Sequence, residues 1–498
     1  MEKRTFLAFV LSILVIVVWS TLTRQNAPIT QPIANKTVTN ISHIIPASEA
    51  TPSPDMLLNA PGEEIQLGTY DLTFLTQTAA LKQASFKKYH DYKLPLKGLY
   101  LEGISGFAKV KAGEAATFVY LDPEKKITQE YNFANPNYCI GLTISIKNLQ
   151  SEDLKISLPF ILSRISRPTS QDARYQSQEL VVKTADKLLR FAPGKTISSL
   201  GPAKFIALRE RYFCAVLKPE HSQFQAFTQK LSASESLFGL LFDTQVPAKQ
   251  EVKINFLLYL GPQEASLLKT VNPEFSEIIN YGFFDPISKF LLQLLRLLFK
   301  IVHNWGIAII LLSLVIYFAL FPLSLQQLRS MKEMQMLQPK IEELRKAYKD
   351  NPQKLNKEIM ELYKEHKVNP FGGCLPLLLQ IPVFFALYQA LMRSLELKGA
   401  SFLWIKDLSR PDRLFTLPSQ LPVIGNEINV LPLLMCLIMF LQQKMTSKAT
   451  VSAEQQKMML ILFPLMFGII FYHMPSGLVL YWFINSLLMF VYQLKISK

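Results

Sequence analysis

The sequence predicts an α-helical polytopic membrane protein with six transmembrane helices and an all-β sandwich domain outside the bilayer. Three observations predict it. Charge-free apolar runs recur along the chain, residues 60–270 alternate apolar and polar positions, and Lys and Arg gather in the loops of one side. The 498 residues are 49% hydrophobic, enough chain for two or three domains. The net charge of +15 does not read as a nucleic-acid interface, because the cations border the apolar runs, as membrane topology requires.

A spanning helix needs about 20 apolar residues. Between Arg4 and Arg24 lie 19 residues without charge. Lys3 and Arg4 precede them and no small-residue cleavage site follows, so 1–24 reads as an uncleaved anchor rather than a signal peptide. Later charge-free runs occupy 304–328, 368–392 and 428–443. The last run, Met458 to Leu494, has 37 residues, too long for one span and right for two. It divides into 458–473 and 478–494, with Met474 to Gly477 as the hinge.

Orientation follows from the cations. Loop 329–367 holds ten Lys and Arg against seven acids, loop 444–457 holds three against one, and Lys495 and Lys498 close the chain. With six spans these regions share one side, which the positive-inside bias makes the cytosol, with both termini. Residues 25–300 and the 393–427 loop then lie on the far side. Trp19, Trp305, Trp404 and Trp482 fall at or near that face, where aromatic belts sit.

Residues 25–58, rich in Pro, Thr, Ser, Ala and Asn, read as a linker. The β domain is expected over 59–280. In "VKINFLLYL", Val252, Ile254, Phe256, Leu258 and Leu260 share one face, and Gly261-Pro262 ends the strand. Of the four cysteines, Cys139 and Cys214 read as two buried thiols or one disulfide, and no CxxC points to zinc. Asp285-Pro286 starts a helix, with Asp expected to cap it. Lys289, Gln293, Arg296 and Lys300 share one face of it and leucine and phenylalanine fill the others. The 281–303 segment therefore reads as an amphipathic helix in the bilayer interface, or as a core helix of the β domain. On the cytosolic side Met334, Leu337, Ile341, Leu344 and Tyr348 keep heptad spacing, and Asn351-Pro352 opens a second helix with Leu355, Ile359, Leu362 and His366. This two-helix hairpin is either a docking arm or a solvated connector.

Catalytic patterns are missing. "PGKT" at Pro193–Thr196 lacks the first glycine of a phosphate loop, and neither HExxH nor GxSxG occurs. No cofactor, metal site or enzyme activity is expected. The spans contain no Asp, Glu, Lys or Arg, which argues against a proton-coupled carrier. They do carry neutral polar groups, among them Ser313, Tyr317, Gln380, Gln389, Gln442, Gln443, His473, Asn485 and Ser486. Interhelical hydrogen bonding would explain any one of them. Several on facing helices together point to a wet cavity. Thirteen of fifteen methionines follow Leu328, fitting either core filler or a surface for varied apolar partners.

"NWGIAIILLSLVIYFALFPLSLQQLRSMKEMQMLQPKIEELR", "KVNPFGGCLPLLLQIPVFFALY" and "MPSGLVLYW" together resemble the YidC-type membrane protein insertase family, over Tyr281 to Lys495. The anchor and β domain resemble its Gram-negative form, whose periplasmic domain is a β-supersandwich, with "RYFCAVLKP" the best-matching stretch. The resemblance implies an inner-membrane insertase and chaperone. Its five core helices enclose a groove open to cytosol and lipid and closed towards the periplasm. Nascent membrane proteins are the implied partners, with the Sec translocon, and ribosome or signal recognition components at 329–367, as further candidates. Ser313, Tyr317, Gln380, Tyr481, Trp482 and Asn485 are expected along the groove, Ile381 and Phe384 beside the exit path, and Arg329 at the mouth. The family usually has an arginine where Tyr317 stands, so this groove is expected to work by hydration rather than charge pairing. A small-molecule transporter and a membrane-anchored periplasmic binding protein are the alternative readings.

Overall fold

The computed structural model describes residues 62–89, 91–111, 115–134, 137–166, 178–194, 200–220, 224–232, 235–349, 351–366, 368, 375–421, 425–446 and 453–496. The side chains of 111, 166, 323–324, 326–332, 335, 375–379, 420–421, 446, 453–459 and 496 are not described. The expected anchor and linker, residues 369–374 of the expected third span and the Arg329 side chain therefore lie outside the described residues. The chain forms two compact units, which divide after Asn280.

The first unit is built of β-strands because its sequence repeats with period two. In Glu251–Pro262, Ile254, Phe256, Leu258 and Leu260 are buried while Glu251, Lys253 and Asn255 are exposed. This strand lies at the centre of a nine-stranded antiparallel sheet, between Phe213–Pro219 and Cys139–Asn148. The sheet ends at Leu188–Phe191 on one side and Ala108–Lys111 on the other. A five-stranded sheet, built on the long pair Leu154–Ser166 and Glu235–Val246, and a four-stranded sheet over 63–98 complete the unit.

Aromatic rings join the layers. Phe256 of the nine-stranded sheet stacks 5.8 Å from Phe160 and 5.7 Å from Phe242 of the five-stranded sheet. Phe213 stacks 4.4 Å from Phe86 and 4.5 Å from Tyr92 of the four-stranded sheet. The unit is thus a β-sandwich with an aromatic core. Gln129 is fully buried, and its amide nitrogen donates to the Leu99 carbonyl (2.7 Å) and the Tyr131 hydroxyl, so its donors are satisfied while its Oε1 is left without a partner. Cys139 and Cys214 are free thiols, not a disulfide, and burial pushes them up to about 11 and about 12. They stay protonated and unreactive at neutral pH.

Cations fasten the end of this unit. Helix α1 (Ala265–Val271) leads into a 3-10 turn, Pro273–Ile278. Arg209 donates to Glu179 (2.9 Å), Gln263 (2.7 Å) and the Asn280 carbonyl (3.0 Å), while Arg190 donates to the Ile278 carbonyl (3.0 Å). Lys183–Glu277 and Lys204–Glu274 pairs hold the same turn at 2.7 and 2.8 Å. Nearby, burial raises the Glu210 carboxyl above the glutamate range, against hydrogen bonds from Gln178 (2.7 Å) and Tyr92 (3.2 Å). Its contribution to stability is therefore full below the ordinary glutamate range and is lost as the pH climbs through the raised value.

The second unit is helical. Among the described residues its helices are α2 (Asp285–Val302), α3 (Trp305–Met336), α4 (Gln338–Ala347), α5 (Pro352–Glu365), α6 (Leu375–Arg393), α7 (Val430–Thr446), α8 (Ala453–Tyr472) and α9 (Ser476–Ile496). Asp285 does not cap α2 as expected. Its carboxylate turns back to the Tyr281 N–H (2.9 Å) and pairs with Lys289 (2.7 Å). The first hairpin helix is not continuous from Met334 to Tyr348: α3 runs to Met336, and α4 starts after Leu337 with Pro339 in its first turn. Met334, Leu337, Ile341 and Val368 form a small core there, covered by Ile359, Leu362 and Tyr363. His366, expected on the apolar seam, is exposed and meets Lys340 at 3.1 Å.

Among the described residues, Trp305–Pro322 and Ser476–Lys495 are long and apolar enough to cross a bilayer, and Val430–Met445 and Leu460–Tyr472 are shorter apolar helices. Large apolar side chains on their outer faces are exposed, including Phe318, Leu433, Leu437, Ile461, Leu465 and Val491. That much uncovered apolar surface suits a hydrocarbon surrounding and not water.

Candidate functional site: the interior of the helical core

Helix α2 reads three ways around its circumference. Ser288, Leu291, Leu292 and Leu295 are buried, and the Ser288 hydroxyl donates to the Ala386 carbonyl of α6 at 2.8 Å. Lys289, Gln293 and Lys300 are exposed, whereas Arg296 reaches Glu396 at 2.8 Å. Ile287, Phe290, Leu297 and Ile301 form a third, exposed apolar stripe. A helix packed on the helical core, with a lipid-like stripe outside it, is not a core helix of the β domain.

Inside the unit, Gln380 of α6 donates to the Tyr481 hydroxyl of α9 at 2.5 Å. Tyr481 is fully buried, so this bond satisfies the one polar atom of a large buried side chain. One residue further on, Trp482 points into an aromatic cluster. Its ring lies 5.2 Å from Phe384 of α6 and 5.6 and 5.3 Å from Phe467 and Phe471 of α8. Ile381, the neighbour of Gln380, is 39% exposed, so the polar contact lies beside an open apolar edge of α6.

The remaining expected groove residues are spread along α3 and α9. Ser313 is buried and donates to the Ile309 carbonyl of its own helix (2.7 Å), and Asn485 donates to the Tyr481 carbonyl (2.8 Å). Tyr317 is half-buried, its ring 5.7 Å from Phe321, and Phe321 stands edge-on to Tyr492 of α9 at 4.9 Å. Arg329 belongs to α3, twelve residues beyond Tyr317.

Sequence reasoning missed a clasp at the other end of the helices. The Asp412 carboxylate accepts from the Leu431 N–H at the start of α7 (2.8 Å) and from Trp404 Nε1 (3.2 Å). Asn429, the residue before α7, accepts from the Arg413 N–H (2.9 Å) and donates to the carbonyl of Tyr472 at the end of α8 (2.8 Å). The first N–H groups of α9 are satisfied in the same loop, Ser476 by the Arg410 carbonyl (2.7 Å) and Gly477 by that of Leu408 (2.9 Å). Two motif glycines are explained here. A Cβ on Gly306 would stand 2.1 Å from the Phe402 ring, and one on Gly477 3.1 Å from the Leu408 carbonyl. The 393–429 loop thus covers one end of α3, α7 and α9. Asn429 before an apolar run looks like a helix cap, but its side chain bonds Arg413 and Tyr472 while Asp412, which has no local signature, takes the Leu431 N–H.

Two family models match the chain. That of the 60Kd inner membrane protein covers residues 297–498, and that of the YidC periplasmic domain covers residues 107–294. A membrane protein insertase YidC from Pelobacter propionicus is 31% identical, over 100% of this chain and 99% of its own. One from Geobacter metallireducens is likewise 31% identical, over 100% and 98%. The solved structure of an active YidC insertase with its first transmembrane domain resolved covers 88% of this chain and 96% of its own, at 22% identity and a TM-score of 0.39. By its two matched family models and by relatives that it spans from end to end, the chain belongs to the YidC family of membrane protein insertases, inner-membrane proteins with a periplasmic β-sandwich domain.

Proposed function

We propose that this chain inserts nascent membrane proteins without ATP, through a hydrated groove between α3, α6 and α9 that opens to cytosol and lipid. In this reading the chain crosses the membrane six times, by 1–24 and the five apolar segments from Asn304 onward, with both termini in the cytosol and residues 25–300 in the periplasm. The observation that carries the reading is the Gln380–Tyr481 hydrogen bond between α6 and α9, beside the exposed edge at Ile381.

The energetics need no fuel. Each central Leu, Ile or Phe of a substrate helix gains about 0.3–0.6 kcal/mol on insertion, roughly 6–12 kcal/mol over a 20-residue span. The obstacle is the polar tail, whose unsatisfied backbone groups cost several kcal/mol each in hydrocarbon. Gln380, Tyr481, Tyr317, Ser313 and Asn485 lower that barrier by keeping part of the path polar. The apolar segment leaves past Ile381 and Phe384, where the Phe384–Trp482 contact is the side wall. The clasp around Asp412 and Asn429 closes the periplasmic end, so the tail crosses a shortened barrier without an open pore. The 329–367 hairpin, with Met336 and Met360 exposed among its charges, is the surface for ribosome or signal recognition components. Insertion proceeds by this chain alone or beside the Sec translocon.

The test is reconstitution of the full chain as the sole protein in vesicles of inner-membrane lipids. A short single-span substrate is expected to acquire a protease-protected tail without nucleotide. Protection no greater than in protein-free vesicles would overturn the proposal.

A further inference from the structure

The 393–429 loop holds one side chain that water does not suit. Phe402 and Ile405 exchange two backbone hydrogen bonds of 2.9 Å, closing a tight turn with Leu403 and Trp404 at its centre. Leu403 has φ +52°, in the left-handed region that favours glycine, and it is 75% exposed. Its neighbours in the turn are all held. Phe402 packs on Gly306 of α3, Trp404 Nε1 donates to Asp412, and Ile405 is buried. The fold thus fixes the turn and leaves a leucine as its exposed tip.

The level of this tip follows from α3. Its apolar stretch Trp305–Pro322 has 18 residues, about 27 Å at helical rise. That barely matches a hydrocarbon core of roughly 30 Å, so the first turn of α3 lies at the bilayer boundary. Gly306, under the Phe402 ring, belongs to that turn, and so does Ile307, which is 41% exposed. Trp305 stacks 3.9 Å from Phe299 at the same level, where aromatic belts sit. Cations follow the tip in the chain. Lys406 is exposed, and the Arg410 side chain is 58% exposed, 3.7 Å from Asp407. Burial and the Arg410 guanidinium hold Lys398 below the ordinary lysine range against the pull of Asp407, which marks a local excess of positive charge.

We propose that the Leu403 turn is a lipid anchor: its side chain lies among acyl chains at the edge of the leaflet on the loop side, with Lys406 and Arg410 towards the phosphates. The occupant is lipid because the tip stands at the depth of the first turn of α3, with cations beside it to meet anionic headgroups. A glycine would suit the backbone at 403 better but would supply no apolar contact. The loop that covers one end of α3, α7 and α9 is thereby held to the bilayer as well as to the helices. The inference rests on the reading of α3 as a span and is independent of insertion.

The experiment places a nitroxide by Leu403→Cys in the full chain, with Cys139, Cys214, Cys374 and Cys436 replaced by alanine. The protein is reconstituted in vesicles of a neutral phospholipid, with and without an anionic one. Collisions with oxygen, which concentrates among acyl chains, are compared with collisions with a water-soluble nickel chelate. Val315→Cys, on the exposed face of α3, is the lipid reference, and Lys253→Cys, exposed on the β domain, is the water reference. The oxygen-to-nickel ratio at Leu403 is expected to stand several-fold above that at Lys253 and to rise further with anionic lipid. Lys406→Gln together with Arg410→Gln is expected to abolish that rise. A ratio equal to that at Lys253 would overturn the inference. A label shielded from both reagents would overturn it as well, since protein would then cover the tip. A rise that survives the loss of both cations would overturn their pairing with headgroups. A Val315 ratio no higher than that at Lys253 is a different result and would overturn the reading of α3 as a span.

Discussion

Phe213→Ala is expected to destabilise the β domain by about 3–5 kcal/mol and to leave insertion by the reconstituted protein unchanged. Phe213 is fully buried, with its ring between Phe86 and Tyr92 and the edge of Tyr89 at 5.5 Å. It joins the nine-stranded and four-stranded sheets, so its truncation leaves a cavity between two layers. Limited proteolysis against temperature would read the loss, as an earlier release of fragments from 62–280. Insertion of the single-span substrate would be measured below that transition and just above it. A rate that holds through unfolding of the domain places the activity in the helical unit. A rate that falls in step with unfolding would instead make the β domain the working part, as the anchored binding-protein reading requires.

Asp412→Ala is expected to loosen the clasp by about 2–4 kcal/mol, because a buried carboxylate with two hydrogen bonds is lost and both donors are left unpaired. Asp412 is 3% exposed, and one oxygen of it holds both Trp404 of the loop and Leu431 at the start of α7. Asp412→Asn keeps an acceptor for one or both donors and should lie between the two. A cysteine in place of Leu408, which is fully buried beside Gly477, reports the opening through its labelling by a membrane-impermeant maleimide. Faster labelling in the Asp412→Ala background, with slower insertion, is the expected pair of results. Unchanged labelling would remove the clasp from the account.

Local chemistry made part of this structure legible. The strand at 251–262 could be read from its alternation because one of its faces is solvated. Helix α5 could be read from Asn351-Pro352, and Asn351 does accept from the Lys354 N–H at 3.1 Å. Asp285-Pro286 located α2 correctly but misassigned the aspartate, whose carboxylate found a better partner in the preceding backbone. The charge-free run 304–328 measures the thickness of a bilayer, whereas α3 itself continues to Met336, ahead of Pro339. Neutral polar residues in apolar segments pointed to the interior, yet which of them meet was hidden. Gln380 and Tyr481 are 101 residues apart, and Asp412 and Leu431 are 19 apart. No periodicity encodes such pairings, since they depend on how helices cross. For Ser313 the sequence left open a hydroxyl facing the groove, and its bond to Ile309 shows the helix's own backbone as its partner.

The central claim is that substrates leave laterally along α6, beside the Gln380–Tyr481 contact. A photo-crosslinker at Ile381, set against one at the exposed Leu437 of α7, tests it most directly during translation of a short single-span protein. The account predicts adducts at Ile381 that form while the span inserts and vanish when insertion is complete, with none at Leu437. Adducts that are equal at both positions, or absent from both, would contradict it.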